Sequence, residues 1–144
     1  SAIVTQNIDG LHQAAGSKNV FELHGSVHRN YCQKCGKFFD VNYVVNAKGV
    51  PYCDECGGII KPDVVLYEEG LDSQTINGAV RAISKADMLI IGGTSLVVYP
   101  AAGMIDYFKG KYLAVLNRDA TSRDKQADLC ITDPIGEVLG RIRV

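Results

Sequence analysis

Four of the five cysteines occur in two closely spaced pairs, an arrangement typical of metal sites. Cys32 and Cys35 form one Cys-x2-Cys pair, Cys53 and Cys56 form the second, and 17 residues separate the pairs. Each pair can present two thiolates from one tight turn. Four such sulfurs complete a tetrahedral shell around Zn²⁺ and leave no position for a catalytic water. The sequence therefore predicts one zinc ion with a structural role.

The use of cysteine also indicates a cellular compartment. An odd number of cysteines, four of them in zinc-type pairs, does not match the disulfide framework of a secreted protein. The remaining residue, Cys130, lies alone in an apolar stretch and is predicted to be a packed thiol in the core. A reducing compartment is favoured, and the default prediction is the cytoplasm.

Polar or small residues follow three apolar stretches directly. They occupy positions 6–9, 93–95 and 117–119. Ligands of parallel α/β sheets bind outside the carboxyl ends of the strands. We therefore expect these three segments to form one ligand site.

The stretches that carry these residues alternate between strand and helix patterns. A helix is predicted to begin at Asp72 or Ser73, with Ile76, Val80 and Ile83 on its apolar face. The continuously apolar segment 88–91 is typical of a strand buried on both faces. The other predicted elements are strands 2–5, 64–67, 112–116 and 129–132 and helices 100–108, with Pro100 in the first turn, and 134–142. This order predicts an α/β fold with a parallel sheet.

Composition excludes several classes of partner. The 144 residues are 47% hydrophobic and 22% charged, and the formal net charge is −1. That balance is ordinary for a globular domain and provides no basic surface for nucleic acid or an anionic membrane. No apolar run approaches the roughly 20 residues that a membrane span needs. We therefore predict neither direct nucleic-acid binding nor membrane association.

Several motifs together resemble those of the sirtuins, which are NAD-dependent protein lysine deacylases. The motifs are TQNIDGLH, ELHGS, the two cysteine pairs, KPDVVLYEE, GTSLVVYPA and LNRD, and they extend in this order from the first residues to the last. The wording of GTSLVVYPAAG is most similar to bacterial members. The resemblance implies a Rossmann-like NAD-binding domain at residues 1–29 and 61–144 and a zinc-ribbon module at residues 30–60. It places NAD and an acyl-lysine peptide in the cleft between them.

The resemblance also implies which residues contact NAD. Gln6 and Asn7 would bond the ribose and an ordered water, and Asn7 would take part in catalysis. The Ile8 backbone and Asp9 would bind the nicotinamide carboxamide. The other implied contacts are Gly93, Thr94 and Ser95 for ribose and phosphate, Asn117, Arg118 and Asp119 for the adenosine ribose, and Ile135, with Pro134, for the adenine. On the residues alone, residues 92–95 also fit a simple strand-to-helix turn, and Arg118 also fits a solvated surface charge.

His24 is the candidate catalytic base. On sequence alone, a single histidine between Leu23 and Gly25 is more typical of a hydrogen-bonded core residue, but the matching ELHGS motif favours catalysis. In the family mechanism the acyl oxygen attacks the ribose as nicotinamide leaves, and the histidine then takes a proton from a ribose hydroxyl. An imidazole suits this transfer because its pKa lies near the working pH. The products would be nicotinamide, free lysine and O-acyl-ADP-ribose.

The resemblance places the peptide substrate along a strand edge. Val64, Val65 and Leu66 would pair with substrate backbone, and Val98 would lie opposite. Tyr67 would line the acyl-lysine tunnel, and Glu68 follows it where many sirtuins place glycine. Such backbone pairing would accept many acyl-lysine proteins. An ordinary buried strand is the alternative interpretation.

One part of the sirtuin pattern has no counterpart in the chain. The family carries an N-terminal GAGxS phosphate loop and then a cofactor-binding loop with an arginine, and neither motif occurs here. We therefore expect the chain to be the carboxyl-terminal half or more of a sirtuin, with strand 2–5 as an exposed edge. Alone it should be inactive or weakly active. A deliberate truncation, proteolysis and a split gene all fit this pattern.

Two other functions are compatible with parts of the sequence. The chain could be a non-catalytic zinc-ribbon scaffold, although three lysines balance three acidic residues between positions 30 and 60 and do not favour nucleic acid. Mono-ADP-ribosyl transfer is the other alternative, because it uses the same cofactor chemistry. The sequence itself does not separate this side activity from deacylation.

Overall fold

The computed structural model describes residues 1–142, which form two compact units. One unit comprises residues 2–77 and the other comprises Ser1 and the chain from residue 78 onward. The strands are β1 (Ile3–Thr5), β2 (Val20–Glu22), β3 (Gly25–Cys32), β4 (Phe38–Asp40), β5 (Ile60–Val64), β6 (Met88–Gly92), β7 (Tyr112–Leu116) and β8 (Leu129–Ile131). The helices are α1 (Leu11–Ala14), α2 (Val41–Val45), α3 (Ser73–Ser84), α4 (Ala101–Met104) and α5 (Ile135–Gly140).

The first unit contains two small sheets. Strands β1 and β2 pair in parallel, with Thr5 opposite Glu22. Strand β3 lies between β4 and β5 in an antiparallel sheet, and its register with β5 shifts between Ser26 and Asn30. Asn30, buried between strands, donates from Nδ2 to the backbone oxygen of Val27 at 3.1 Å. This bond satisfies a polar group that would otherwise be costly to bury.

The core of the antiparallel sheet includes two of the paired cysteines. Cys32 and Cys53 are buried against Phe39 and Ile60, with Cys56 partly buried beside them. Asp40 begins helix α2 by accepting a hydrogen bond at 2.9 Å from the backbone amide of Tyr43, as an N-cap carboxylate does. The apolar cluster and the cysteine pairs therefore form one small structure.

The second unit is built on the parallel sheet β6-β7-β8. Ile91, Leu113 and Val115 are buried in one cluster on this sheet, and Ile105 and Phe108 pack against them. The paired positions Ile91 and Val115 present side chains to the same face, as parallel register requires. The predicted parallel α/β arrangement is confirmed for this sheet.

Helix α3 starts where the sequence predicts. The side chain of Asp72 accepts a hydrogen bond at 2.7 Å from the backbone amide of Thr75, which caps the first turn. Ile83 is buried, and Ile76 and Val80 are half-buried. These residues form the apolar face expected from their helical spacing.

Two predicted elements differ from the structure in more than one or two terminal residues. The strand expected at residues 64–67 is β5 (Ile60–Val64), and Tyr67 lies outside it, fully exposed. The reason is that β5 is an edge strand, which accepts Pro62 although proline lacks an amide hydrogen. The helix expected at residues 100–108 is the single turn α4 followed by a 3-10 turn, and Pro100 precedes it as the N-cap.

Two burial predictions are wrong for the described residues. Strand β6 is not buried on both faces, because Met88 and Ile90 are exposed. Cys130 is an exposed thiol rather than a core thiol. Strand β6 and strand β8, which carries Cys130, are the edges of a three-stranded sheet. One face of that sheet also exposes Tyr112 and Leu129. Apolar sequence alone does not show which face of a strand is covered.

Gly25 occupies the tightest backbone contact in the first unit, and its replacement provides a test of the fold. A Cβ at Gly25 would lie 1.9 Å from the backbone oxygen of Asp63, and φ is +75°. Gly16 also has a positive φ, +92°, but a Cβ there would meet nothing within 4 Å. We expect Gly25→Ala to lower the free energy of unfolding by more than about 3 kcal/mol, because it adds a clash to left-handed strain.

The matched variant Gly16→Ala carries only the conformational cost, about 1–2 kcal/mol. Urea unfolding followed by circular dichroism, with zinc in the buffer, measures both variants. Equal losses in the two variants would contradict the close approach of β5 to Gly25.

Candidate active site and metal centre

The four paired cysteines form a cluster with the dimensions of a zinc site. Their sulfur atoms all lie within 4.8 Å of one another. The Sγ atoms of Cys32 and Cys56 are 3.4 Å apart, and those of Cys35 and Cys53 are 3.7 Å apart. Tetrahedral zinc with bonds of about 2.3 Å requires sulfur separations of roughly 3.8 Å. The sequence-predicted ligands are therefore positioned for one zinc ion with a closed shell.

Backbone turns at each pair place these sulfurs. The amide of Gly36 donates to the oxygen of Cys32 at 2.9 Å, and the amide of Gly57 donates to the oxygen of Cys53 at 3.0 Å. Both glycines have positive φ, 74° and 67°, which other residues rarely adopt. Lys37 joins the two turns through ion pairs at 2.8 Å to Asp54 and 2.9 Å to Glu55. The geometry of the cluster is thus present in the fold itself.

The thiols in this cluster differ in acidity. A hydrogen bond from the backbone amide of Cys35 lowers the pKa of the Cys32 thiol to about 6. The amide of Lys37 likewise lowers the pKa of Cys35, but its neighbouring sulfurs outweigh this and raise that pKa to about 12. Each added thiolate opposes the next, so four thiolates coexist here only around a cation. This chemistry fits a metal rather than a redox dithiol.

His24 lies in the short connection between β2 and β3. Its Nδ1 atom is 3.1 Å from the backbone oxygen of Gln6, and its own backbone oxygen accepts a hydrogen bond at 3.1 Å from the amide of Val65. Because a carbonyl oxygen can only accept, Nδ1 carries the hydrogen. The lone pair of the neutral ring is then on Nε2, which makes Nε2 the atom able to take a proton.

Gln6 carries an unpaired polar group beside this histidine. Among the described residues, its Nε2 atom is buried without a hydrogen-bond partner. An unpaired buried donor costs about 1–3 kcal/mol. A ligand that offers a hydroxyl or an amide oxygen would remove that cost. This orphaned donor is the feature of the first unit that fits a bound nucleotide sugar.

The segment that follows Gln6 is held by β3. The amide of Val27 donates to the oxygen of Ile8 at 3.1 Å, and Nε2 of His28 lies 2.9 Å from the oxygen of Asp9. The Asp9 carboxylate accepts a hydrogen bond at 3.0 Å from the amide of Leu11. The side chain of Asn7 is exposed. The ring of His28 therefore helps to hold the backbone at Asp9.

The second unit contains a cleft of about 830 Å³ at the carboxyl ends of its strands. Every cofactor residue predicted in this unit lines the cleft: Gly93, Thr94, Ser95, Asn117, Arg118, Asp119 and Ile135. The structure adds Thr132 and Asp133, which the sequence reasoning missed. They follow β8 as the other residues follow β6 and β7, so the strand-end rule could have found them.

Hydrogen bonds at the ends of the strands shape this cleft. The amide of Gly93 donates to the oxygen of Leu116 at 3.1 Å, and Nδ2 of Asn117 donates to the oxygen of Asp119 at 2.8 Å. A Cβ at Gly92 would lie 2.4 Å from Cδ1 of Ile135, so Ile135 packs directly over this glycine. The result is an apolar wall beside polar loop ends. Such a surface suits a nucleoside, which has an apolar base and a polar sugar.

Two predicted contacts in the second unit are not constrained by the surrounding chain. The Arg118 side chain is 89% exposed and 3.8 Å from the carboxylate of Asp119. Val98 is also exposed, so its place opposite residues 64–66 stays a prediction. In the first unit, Val64 and Val65 meet Gly25 and His24 through backbone pairing, while Leu66 is exposed.

Glu68 adopts the backbone conformation that favours glycine. Its φ is +69°, in the left-handed region. Glu69 closes the same turn by accepting a hydrogen bond at 2.9 Å from the amide of Leu66 and by pairing with Lys61 at 3.2 Å. The glutamate at position 68 thus takes the left-handed turn that glycine would provide.

Comparison with known protein families identifies the family to which the chain belongs. The model of the Sir2 family matches residues 1–100, which is more than half of the sequence. The chain belongs to the Sir2 family. The sirtuin resemblance predicted from its motifs is confirmed.

Relatives of this Sir2-family chain include two clostridial proteins, each named an NAD-dependent protein deacetylase. The protein of Clostridium acetobutylicum is 68% identical over 139 residues, which are 96% of this chain and 57% of the relative. That of Clostridium perfringens is 67% identical over 142 residues, 98% of this chain and 58% of the relative. The chain thus spans a little over half the length of these relatives.

Solved structures of Sir2 proteins share its fold. A complex of Sir2 with a p53 peptide and NAD⁺ has a TM-score of 0.88 and 39% identity, covering 98% of this chain and 61% of the other. A Sir2 protein bound to an acetylated peptide has a TM-score of 0.87 and 38% identity, covering 98% and 61%. The predicted α/β fold with a four-cysteine zinc module is confirmed. Within residues 1–142, no helix has the length and apolar character needed to cross a membrane.

The metal centre of this Sir2-family chain allows a direct test. We expect one zinc ion per chain, and we expect Cys53→Ser to lose most of it, because a hydroxyl is a far weaker ligand than a thiolate. Metal analysis after gel filtration measures the stoichiometry, and circular dichroism shows the accompanying loss of structure. The control is Cys130→Ser, which removes the thiol outside the cluster. Zinc loss in that control, or full zinc in Cys53→Ser, would contradict the assignment.

Proposed function

We propose that the chain supplies the base, the zinc module and the nucleoside cleft of an NAD-dependent protein lysine deacetylase. The observation that carries this proposal is the hydrogen bond of His24 Nδ1 with the Gln6 backbone oxygen, which leaves Nε2 free to accept a proton. The names of the clostridial relatives support the choice of reaction. Its products would be nicotinamide, deacylated lysine and O-acyl-ADP-ribose.

The chain's residues have separate tasks in this proposal. NAD, when bound, supplies a ribose carbon that reacts with the acyl oxygen and releases nicotinamide. His24 takes the proton of a ribose hydroxyl at Nε2, and the Gln6 backbone oxygen keeps the ring in the required tautomer. Asn7 and the Gln6 amide bond the sugar and an ordered water. Ile8 and Asp9 bind the carboxamide of the nicotinamide.

The cleft of the second unit holds the adenosine side of NAD in this proposal. Ile135 and Pro134 contact the adenine, and the hydroxyls of Thr94 and Ser95 bond ribose and phosphate. Gly93 has φ +60° and open space at its Cβ position, which lets backbone approach the ligand. Asn117, Arg118 and Asp119 contact the adenosine ribose.

The substrate side of the proposal rests on residues at the end of β5. Val64, Val65 and Leu66, with Val98 opposite, would pair with the backbone of an acyl-lysine protein, as β-augmentation does. Tyr67, now fully exposed, would line the acyl-lysine tunnel. Residues 1–29 and 61–144 would act as the NAD-binding domain and residues 30–60 as the zinc module. The use of cysteine supports a cytoplasmic location.

Nicotinamide release tests the reaction. A chimera in which the N-terminal segment of the C. acetobutylicum relative precedes Ser1 should release nicotinamide from NAD when an acetyl-lysine peptide is present. His24→Ala in that chimera should lower the rate by about 10²–10⁴-fold, because the base is lost. The 144-residue chain alone should show little or no release.

The matched control for this test is His12→Ala, which removes a histidine of helix α1 and should leave the rate unchanged. Release by the chain alone would overturn the expectation that it is inactive. If a folded, zinc-loaded chimera has no activity, the non-catalytic zinc-ribbon scaffold becomes the favoured function. Labelled ADP-ribose left on the peptide would indicate mono-ADP-ribosyl transfer instead.

ADP-ribose binding tests the cleft in the chain itself. We expect Ser95→Ala to weaken the Kd for ADP-ribose about five- to tenfold, because one hydrogen bond to the ligand is lost. Isothermal titration calorimetry measures the Kd. The control Ser122→Ala removes a hydroxyl that does not line the cleft and should bind as the wild type does. Equal weakening in the two variants would argue against the cleft as the binding site.

A further inference from the structure

We propose that Arg29, through Glu22 and Asp63, is a positioning residue that holds the His24 ring against the Gln6 backbone oxygen. The importance of this arrangement for catalysis rests on the proposed function. The three side chains themselves belong to neither the metal cluster nor the set of predicted cofactor contacts.

Arg29 joins two strands that flank His24. Its Nη1 atom donates to the Glu22 carboxylate at 2.8 Å, and its Nε atom donates to the Asp63 carboxylate at 2.8 Å. Glu22 is the last residue of β2, two positions before His24, and Asp63 lies on β5. Two short charge-assisted bonds from one planar guanidinium fix direction as well as distance.

The ion pair between Arg29 and Glu22 is important because the Glu22 carboxylate is buried. The Glu22 side chain is 8% exposed, whereas that of Arg29 is 40% exposed. A carboxylate this deeply placed needs a partner charge, and removal of that partner leaves it uncompensated. Burial opposes the charged form of Arg29, but the hydrogen bonds that it donates to Glu22 and Asp63 raise its pKa overall. The guanidinium of Arg29 therefore stays charged in this position.

The β5 side of the link reaches His24 through the backbone. Asp63 pairs with Ser26, and its backbone oxygen lies too close to Gly25 to leave room for a Cβ. Two residues further on, the amide of Val65 donates to the oxygen of His24 at 3.1 Å. A shift of β5 would therefore move the backbone that carries the imidazole.

The β2 side of the link reaches the acceptor of the imidazole. Glu22 is the register partner of Thr5, and the amide of Leu23 donates to the oxygen of Thr5 at 2.9 Å. Gln6 follows Thr5 directly. Arg29 therefore restrains both the histidine and the carbonyl oxygen that its Nδ1 atom meets.

The imidazole tautomer distinguishes positioning from general stabilisation. In the zinc-loaded 144-residue chain, ¹⁵N NMR should show neutral His24 as a single Nδ1–H tautomer. Arg29→Met should convert this signal into a mixture with the Nε2–H form, because the Nδ1 contact with Gln6 is loosened. Arg29→Lys should retain part of the Nδ1–H signal, since a lysine keeps the positive charge but lacks the planar guanidinium that binds both carboxylates.

Arg123→Met is the matched control. Arg123 pairs with Asp106 at 2.7 Å in the second unit, so this variant also loses an arginine ion pair. Its His24 signal should be that of the wild type. If Arg29→Met does not fold, Glu22→Gln and Asp63→Asn weaken the same link while keeping side-chain shape, and each should shift the tautomer.

The result of the NMR experiment can be interpreted separately from the test of the proposed function. A folded variant that lacks the Arg29 link but keeps the single Nδ1–H tautomer overturns the positioning role, whatever the activity of the chimera. A wild-type chain without that tautomer also overturns it. The nicotinamide assay decides the reaction independently, since it does not depend on the form of the ring in the isolated chain.

Discussion

The antiparallel pairing of β3 with β5 is the interaction on which the first unit depends. Strand β3 ends at Cys32, a member of the cysteine cluster, and begins at Gly25, the neighbour of His24. Strand β5 contacts both ends, because Ile60 pairs with Cys32 and Val64 pairs with Gly25. A glycine is required where the two backbones approach most closely. One ladder thus carries both the cysteine cluster and the histidine.

Residue types with strong local chemistry could be predicted from the sequence. The four cysteines form the expected cluster because paired spacing and glycine turns determine it locally. The start of α3 at Asp72 was likewise predictable from cap chemistry. The cleft lined by residues 93–95 and 117–119 followed from the strand-end rule, and the same rule extends to Thr132 and Asp133.

Features that depend on distant pairing were not predictable. Arg29 and Asp63 are 34 residues apart, and nothing in the local sequence of either indicates the other. The strand at Pro62 was missed because proline is acceptable only where the strand is an edge, which is a property of the whole sheet. Burial of β6 and Cys130 was overestimated for the same reason. An apolar run does not show how many of its faces are covered.

The length of β3 separates the role of the metal from the chemistry. At about 3.3 Å per residue, the seven steps from Gly25 to Cys32 put the two ends of an extended strand about 23 Å apart. Charges are screened over about 8 Å at physiological ionic strength. A zinc ion at the cysteines therefore makes no direct contact with the imidazole of His24. Its influence on the imidazole is mechanical and is transmitted by β3, so another ion that binds four thiolates tetrahedrally should hold the strand equally well.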